Sequence, residues 1–380
     1  MNSHTAMLYH LFNGDYVIFP KTVPLKFYQY IPTITQSCAF YFRNQYYDFH
    51  KYHSQIMDVT GTYPKLFEYG CKLLPRNNNP IIDLFPRTIN KIIREIYSSF
   101  KKLSRHNYST IDTWLNGNTL IVHGEYCFFS SSFLNYIANK VPSYAWVCWG
   151  NTNIVYEKQY FDFINNARCI ICLTKSDSEV FKRFFPNVKT IICPYIEDSL
   201  VFGTNKISSN KILIGNSGGF LEDYESLFFI LAKENLDATF MIPYGNSKKN
   251  LNKFKALAEH ELKNISFWED IVSMEEYKTR LSEYKVYVCP ATRQTGLGAI
   301  YNSISQGVKV YVNGVNYNWL KTLGFIVYSI DELQVSCNHE ILEFSEEDRD
   351  FNIQHAKKIF GVHNMASKWE SIFNILLDNE

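Results

Sequence analysis

The sequence lacks any run of about 18 apolar residues, so no membrane-spanning helix is expected. It also lacks charge of one sign. Its 38 Lys and Arg stand against 37 Asp and Glu, a formal net charge of +1, which gives no general attraction to nucleic acid, and no nucleic-acid partner is expected. The N-terminal MNSHTAMLYHLF has no basic segment leading into a long apolar stretch, so no secretory leader is expected. A disulfide framework is missing as well. Nine cysteines is an odd number, and they are scattered, which points to a reducing compartment. Cys169 and Cys172 have CxxC spacing, but no second pair completes a zinc site, and RCIICLT has the pattern of a buried strand.

What the chain does have is bulk and aromatic content. Its 380 residues suffice for two domains of ordinary size. Hydrophobic residues at 46% against charged residues at 20% place it among globular proteins. Many of the 27 Tyr and 29 Phe lie in the first half, as in KFYQY (26–30), FYFRNQYYDF (40–49) and YCFF (126–129).

Short β-branched runs alternate with helical patterns along most of the length. In the first half, AMLYHLF (6–12), TLIVHG (119–124), YAWVCWG (144–150), RCIICLT (168–174) and VKTIICP (188–194) have strand character, and SFLNYIANK (132–140) that of a helix. The polar stretch 196–210 is the expected linker. Alternation restarts at KILIGNSGG (211–219) and continues through ATFMIPYGN (238–246), ISFWED (265–270), KVYVCP (285–290) and VKVYVN (308–313), with helices expected over 223–235, 248–262, 273–284 and 298–307. This predicts two α/β domains, 1–195 and 211–362, each a parallel sheet covered by helices. An amphipathic terminal helix at 363–380 is expected to return to the first domain.

In open parallel sheets ligands bind beyond the carboxyl ends of strands. After KILI stand Gly215, Asn216, Ser217 and Gly218, small or hydrogen-bonding residues that let a backbone approach a ligand; a plain tight turn is the alternative. Tyr244 and Asn246 end the next strand more weakly. The strongest segment is Arg293, Gln294, Thr295, Gly296, Leu297 and Gly298 between a strand and a helix. There a helix N-terminus offers N–H groups and partial positive charge, and an arginine can bind phosphate oxygens in bidentate fashion. A diphosphate is the expected ligand, with a structural turn as the alternative. No DxD-like acidic pair stands beside this loop, so no essential metal is expected.

The layout of the second half is similar to the nucleotide-binding half of GT-B glycosyltransferases. The strings ILIGNSG, MIPYGN, EEY, RQTGLGAI and ISQGVKVYVN resemble glycosyltransferase family 56, and MLYHLFNGD (7–15), HG (123–124) and WVCWG (146–150) extend the likeness into the first half. The resemblance implies an α/β GT-B fold, two Rossmann-like domains facing a central cleft. It implies a nucleotide diphosphate sugar as donor substrate, dTDP- or UDP-linked, with no further cofactor. It also implies a lipid-linked or surface-glycan acceptor, and so an enzyme at the cytoplasmic, inner face of a bacterial inner membrane. The base would lie near 267–271, placing Trp268 and Glu269 at the donor. Many retaining GT-B enzymes carry glutamates in the glycine loop and on the following helix. Arg293 or Gln294 and Tyr301 or Asn302 stand there instead, and an inverting reaction is expected.

Direct displacement needs a base for the acceptor hydroxyl. His10, Asp15, His123 and Glu125 lie at strand ends in the first half, and Asp15 and His123 match the family strings. Structural histidines and a turn aspartate are the plainer alternatives. The segment 87–106 places Ile89, Ile92, Ile93, Ile96, Phe100 and Leu103 on one helical face and carries Arg87, Lys91, Arg94, Lys101, Lys102 and Arg105 against a single Glu95. It fits either a solvated surface helix or a contact with anionic membrane. Two other functions remain open: a sugar-nucleotide epimerase of the same fold, and a non-catalytic nucleotide-sugar-binding subunit of a glycan assembly complex.

Overall fold

The computed structural model describes residues 8–13, 38–43, 72–73, 119–124, 131–150, 152–197, 200–203, 210–216, 219–243, 248–270, 272 and 274–377. The chain divides into two compact units. One comprises 1–173, 178–193 and 367–380, and the other 174–177 and 194–366. Of the expected linker, residues 198–199 and 204–209 lie outside the described residues, as does the whole of 87–106.

The first unit is built on seven parallel strands: β1 (Leu8–Asn13), β2 (Cys38–Arg43), β3 (Lys72–Leu73), β4 (Thr119–His123), β5 (Tyr144–Cys148), β6 (Cys169–Cys172) and β7 (Thr190–Ile192). Their order is β3-β2-β1-β4-β5-β6-β7. Every residue of β4, β5 and β6 is buried, as expected of parallel strands covered on both faces. Trp146 packs edge-on to Phe181 and tilted on Phe163, while Tyr144 stacks on Phe163 and donates its hydroxyl to the Phe163 carbonyl at 2.7 Å. Helix α1 (Ser131–Lys140) buries Leu134, Ile137 and Ala138 in this core, and α2 (Phe161–Asn165) buries Phe163 and Ile164. Helix α3 (Lys175–Phe184) starts at a reciprocal cap: Thr174 Oγ1 donates to Asp177 Oδ2 at 2.7 Å and accepts the Asp177 amide at 3.2 Å.

The second unit holds six parallel strands: β8 (Lys211–Ile214), β9 (Asp237–Met241), β10 (Ile265–Trp268), β11 (Val286–Cys289), β12 (Lys309–Val312) and β13 (Tyr328–Ser329), in the order β10-β9-β8-β11-β12-β13. Side chains alternate between faces. Val286 and Val288 join Ile212, Ile214 and Phe240 in one core, whereas Tyr287 and Cys289 join Leu213, Val310 and Val312 in the other. On the first face lie α4 (Leu221–Glu225), α5 (Phe228–Lys233) and α6 (Lys248–Glu261), where Phe228, Phe240 and Phe254 pack with ring centroids 5.5–5.9 Å apart. The single helix expected over 223–235 is therefore two. The chain turns between them, with Ser226 Oγ donating to the Asp223 carbonyl at 2.7 Å.

On the second face lie α7 (Met274–Leu281), α8 (Leu297–Ser305), α9 (Gly314–Thr322) and α12 (Glu346–Phe360), while α10 (Ile330–Val335) and α11 (Asn338–Leu342) bury Ile330, Leu333 and Ile341 in the core of the first face. α12 has Ser345 as N-cap, three acids in its first turn and Lys357 and Lys358 in its last, the charge order that complements a helix dipole. α13 (Val362–Leu377) closes the chain. Its later residues belong to the first unit, where Trp369 and Phe373 are fully buried. The Leu376 carbonyl accepts from Thr119 Oγ1 at 3.2 Å and from Arg168 Nη1 at 3.0 Å.

Candidate functional site

The strand order of the second unit sets β8 beside β11, with β9 and β10 to one side and β12 and β13 to the other. The winding direction reverses between these two neighbours, and their carboxyl-terminal loops open a crevice there. Those loops are residues 215–219 and 290–296, both expected from the sequence to hold the donor.

The loop after β8 is shaped around Tyr224. Gly215 has φ +89°, and a Cβ on it would stand 2.1 Å from the Tyr224 ring and hydroxyl. The Tyr224 hydroxyl accepts the Asn216 amide at 3.1 Å and donates to the Met241 carbonyl at 3.0 Å. Burial pushes this hydroxyl well above the usual tyrosine range, so it stays protonated as a donor. The Gly219 amide donates to the Asn216 carbonyl at 3.0 Å, which closes the turn. Ser217 and Gly218 lie outside the described residues.

The loop after β11 ends at Gly296, the N-cap of α8, at φ +69°. No side chain caps α8 and its first turn holds no acid, so its leading N–H groups are available to an anion. A Cβ on Gly296 would stand 2.3 Å from Asn216 Nδ2, whereas one on Gly298 meets nothing within 4 Å. Beneath the loops lies a buried polar layer. Asn316 Nδ2 donates to the Thr295 carbonyl at 2.9 Å, and Asn216 and Asn316 approach Cys289 Sγ at 3.5 and 3.9 Å. Burial pushes the Cys289 thiol up to about 11, so it is neutral. Two buried acceptors there, Gln294 Oε1 and Asn316 Oδ1, have no hydrogen-bond partner among the described residues.

Arg293 spans the crevice. Its Nη1 lies 3.3 Å from Asp223 Oδ2, and its guanidinium carbon sits 3.6 Å from the centroid of Phe220. The one arginine in the glycine segment is thus held against the start of α4, above the β8 loop.

The remaining expected residues belong to other segments. Trp268, at the end of β10, is buried, donates Nε1–H to the Asp270 carbonyl at 3.1 Å, and packs on Tyr277 and under Arg280. Glu269 pairs with Lys255 of α6. Tyr244, Asn246, Asp15 and Glu125 lie outside the described residues. The first unit repeats the same reversal, with β1 beside β4 and Phe12 in register with His123. Asn13 ends β1, and His123 ends β4 fully buried. Gly124 follows at φ +136°, and its carbonyl accepts Trp146 Nε1–H at 2.9 Å. The HG and WVCWG strings therefore meet across β4 and β5. Among the described residues, no group of three or more His, Cys, Asp or Glu side chains is placed to hold a metal.

Sequence reasoning missed Phe220, Asp223, Tyr224, Cys289 and Asn316. Only Gly-Gly-Phe after the turn hinted at the first of them.

No family model matches the sequence, and no curated protein matches it. Solved structures do. The chain superposes on TarM with a TM-score of 0.65 at 10% identity, covering 98% of this chain and 100% of that one. HepE of Anabaena, solved in complex with UDP, gives 0.62 at 9% identity, with 97% and 100% covered. The lipopolysaccharide outer core galactosyltransferase WaaB in its apo form gives 0.57 at 12% identity, with 96% and 100% covered. The fold is GT-B. Its two Rossmann-like domains account for the parallel sheets of both units, and the 3-2-1-4-5-6 winding of the second sheet places the β8 and β11 loops together.

Proposed function

We propose that this chain is a glycosyltransferase that moves a sugar from a nucleoside diphosphate donor to an acceptor hydroxyl. The observation that carries the reading is the crevice between β8 and β11. There an uncapped helix N-terminus and Arg293 face a glycine turn held by Tyr224. In that reading the diphosphate lies against Gly215–Gly219 and the first turn of α8. As the glycosidic C–O bond breaks, negative charge grows on the leaving phosphate, and the α8 amides and Arg293 stabilise it. Gln294 Oε1 supplies an acceptor for a donor hydroxyl. The UDP bound to HepE, and the fact that WaaB is a galactosyltransferase, support the donor class as analogy on one fold.

The finer reading rests on the family-56 strings: a dTDP- or UDP-linked deoxyamino sugar, a lipid-linked or surface-glycan acceptor of bacterial envelope polysaccharide synthesis, and an inverting, metal-independent reaction. With it goes a peripheral position on the inner face of the inner membrane through 87–106. No helix among the described residues is long and apolar enough to cross a membrane. Replacing Lys91, Arg94, Lys101 and Lys102 with Glu is expected to reduce co-sedimentation with anionic liposomes; unchanged sedimentation removes this role.

The deciding experiment is binding and turnover. UDP and dTDP are expected to raise the melting temperature of the wild type more than GDP or CMP do. Arg293→Ala is expected to weaken binding by about 1.5–3 kcal/mol. No stabilisation by any of the four overturns the donor site. Conversion of the donor sugar without an acceptor indicates an epimerase, and binding without turnover a non-catalytic subunit.

A further inference from the structure

Phe220 is out of place by local rules. It is the N-cap of α4, with extended backbone at φ −118° and ψ 143°, and makes no capping hydrogen bond. Ser, Thr, Asp or Asn at such a position would satisfy a helix amide. Nor does burial account for an aromatic residue, since Phe220 is 55% exposed. What the ring does contact is Arg293, whose guanidinium carbon is 3.6 Å from its centroid. That distance means a guanidinium lying on the ring face.

We propose that Phe220 is a positioning residue that aims Arg293 at the donor diphosphate. The proposal rests on the reading of these loops as the donor site. A flexible arginine must lose side-chain freedom to bind phosphate. Here one face of the guanidinium is fixed by the ring and Nη1 by Asp223. These two contacts fix the plane of the guanidinium, and a fixed plane is what a planar fork needs for bidentate phosphate recognition. The ring is the better half of this clamp. A carboxylate close to a diphosphate repels it, whereas a neutral π face holds the cation without opposing the ligand. Phe220 follows Gly219 directly, so the clamp is built on the same turn that approaches the phosphates.

The test is calorimetric titration of UDP and dTDP into the wild type, Phe220→Leu, Phe220→Tyr, Arg293→Ala and the double variant Phe220→Leu/Arg293→Ala. Phe220→Leu keeps an apolar side chain but removes the π face, and is expected to weaken binding about three- to tenfold. Phe220→Tyr keeps the face and is expected to bind within about twofold of wild type. In the Arg293→Ala background, Phe220→Leu is expected to change nothing, because the ring acts only through the guanidinium. A full loss in that background overturns the proposal and makes the ring a direct ligand contact. Wild-type affinity in Phe220→Leu overturns it too. If the wild type binds neither nucleotide, the donor-site reading itself fails, which the first titration shows before any variant is compared. Melting curves of all variants, expected to coincide because the ring is exposed, separate these results from misfolding.

Discussion

The side-chain amide of Asn216 occupies the place where a Cβ on Gly296 would stand, with Nδ2 2.3 Å from that position. This contact joins the loop after β8 to the N-terminus of α8. It makes two glycines of one loop respond to alanine in opposite ways. Gly296→Ala forces a side chain onto a left-handed backbone and pushes Asn216 off Cys289, at a cost of roughly 1–3 kcal/mol. Gly298→Ala meets nothing within 4 Å and lies outside the left-handed region, inside the first turn of a helix. It should hold stability or raise it by up to about 1 kcal/mol. UDP affinity is expected to fall in both, because a methyl on Gly298 stands where a phosphate must approach the helix amides. Melting curves set beside titrations check this, and a Gly298→Ala variant that binds UDP normally moves the phosphates away from α8.

Tyr224 carries the second prediction. Its hydroxyl serves the Asn216 amide and the Met241 carbonyl at once. Phe at this position keeps the ring that packs on Phe240 and Phe254 and removes both hydroxyl contacts. Tyr224→Phe is expected to lose about 1–3 kcal/mol, a fall of several degrees in melting temperature. The loop after β8 should exchange its amide hydrogens faster than the β8 strand it follows. An unchanged melting temperature would show that the hydroxyl is not what holds the turn.

Both glycine loops were legible in the sequence, because each follows a short β-branched run and breaks it with small residues. Their adjacency was implied only by the resemblance to GT-B enzymes. It depends on β11 returning to pair with β8 after β9 and β10 have been laid down on the other side, a long-range choice with no local signature. The same applies to Tyr224, which acts on a residue eight positions earlier, and to Phe220, whose role depends on Arg293 of another loop. Trp268 and Glu269 were placed at the donor by the family resemblance alone; the local partners that hold them, the Asp270 carbonyl for the indole N–H and Lys255 for the carboxylate, had no signature in the sequence. The two-residue strands β3 and β13 were invisible to periodicity, since two residues show no alternation.

A pH prediction follows from Asp177. An acid in the first turn of a helix normally ionises readily, since the dipole and the Thr174 hydroxyl favour the anion. Burial outweighs both here and pushes its carboxyl up to about 6. Because this folded-state value lies above the unfolded one, the folded chain holds the proton more tightly. The contribution to stability is full below about pH 4 and is lost as pH rises through about 6. Between those limits the wild type should lose of the order of 2–3 kcal/mol relative to Asp177→Asn, which still accepts from Thr174 but cannot ionise. Denaturant titrations of both proteins at pH 4, 5, 6 and 7 measure this difference. Parallel pH profiles would mean that Asp177 ionises normally.

The last prediction concerns the proton of the acceptor hydroxyl. Of the four candidates, His10 lies within β1 and His123 ends β4, while Asp15 and Glu125 follow these strands in the sequence; β1 and β4 are neighbours on either side of the reversal in the first sheet. His123 is fully buried at the end of β4, so an acceptor hydroxyl has no direct path to its ring in this structure. It would need a rearrangement to reach one. Asp15 follows Asn13, the last residue of β1, by two positions, and Glu125 follows His123 by two. We place the base at Asp15, because the NGD string extends the family likeness and a carboxylate can accept the proton without leaving a cation behind. Asp15→Asn keeps the shape and removes the basicity. It is expected to lower kcat by about 10²–10⁴-fold with donor affinity unchanged. Glu125→Gln should fall far less, and His123→Gln should show its defect mainly as lost stability, because it leaves a cavity and unmatched polar groups in a closed site. Near-normal turnover by Asp15→Asn alongside a large loss in Glu125→Gln would transfer the role to Glu125. Normal turnover in all three would place the base outside this strand pair or make the reaction retaining.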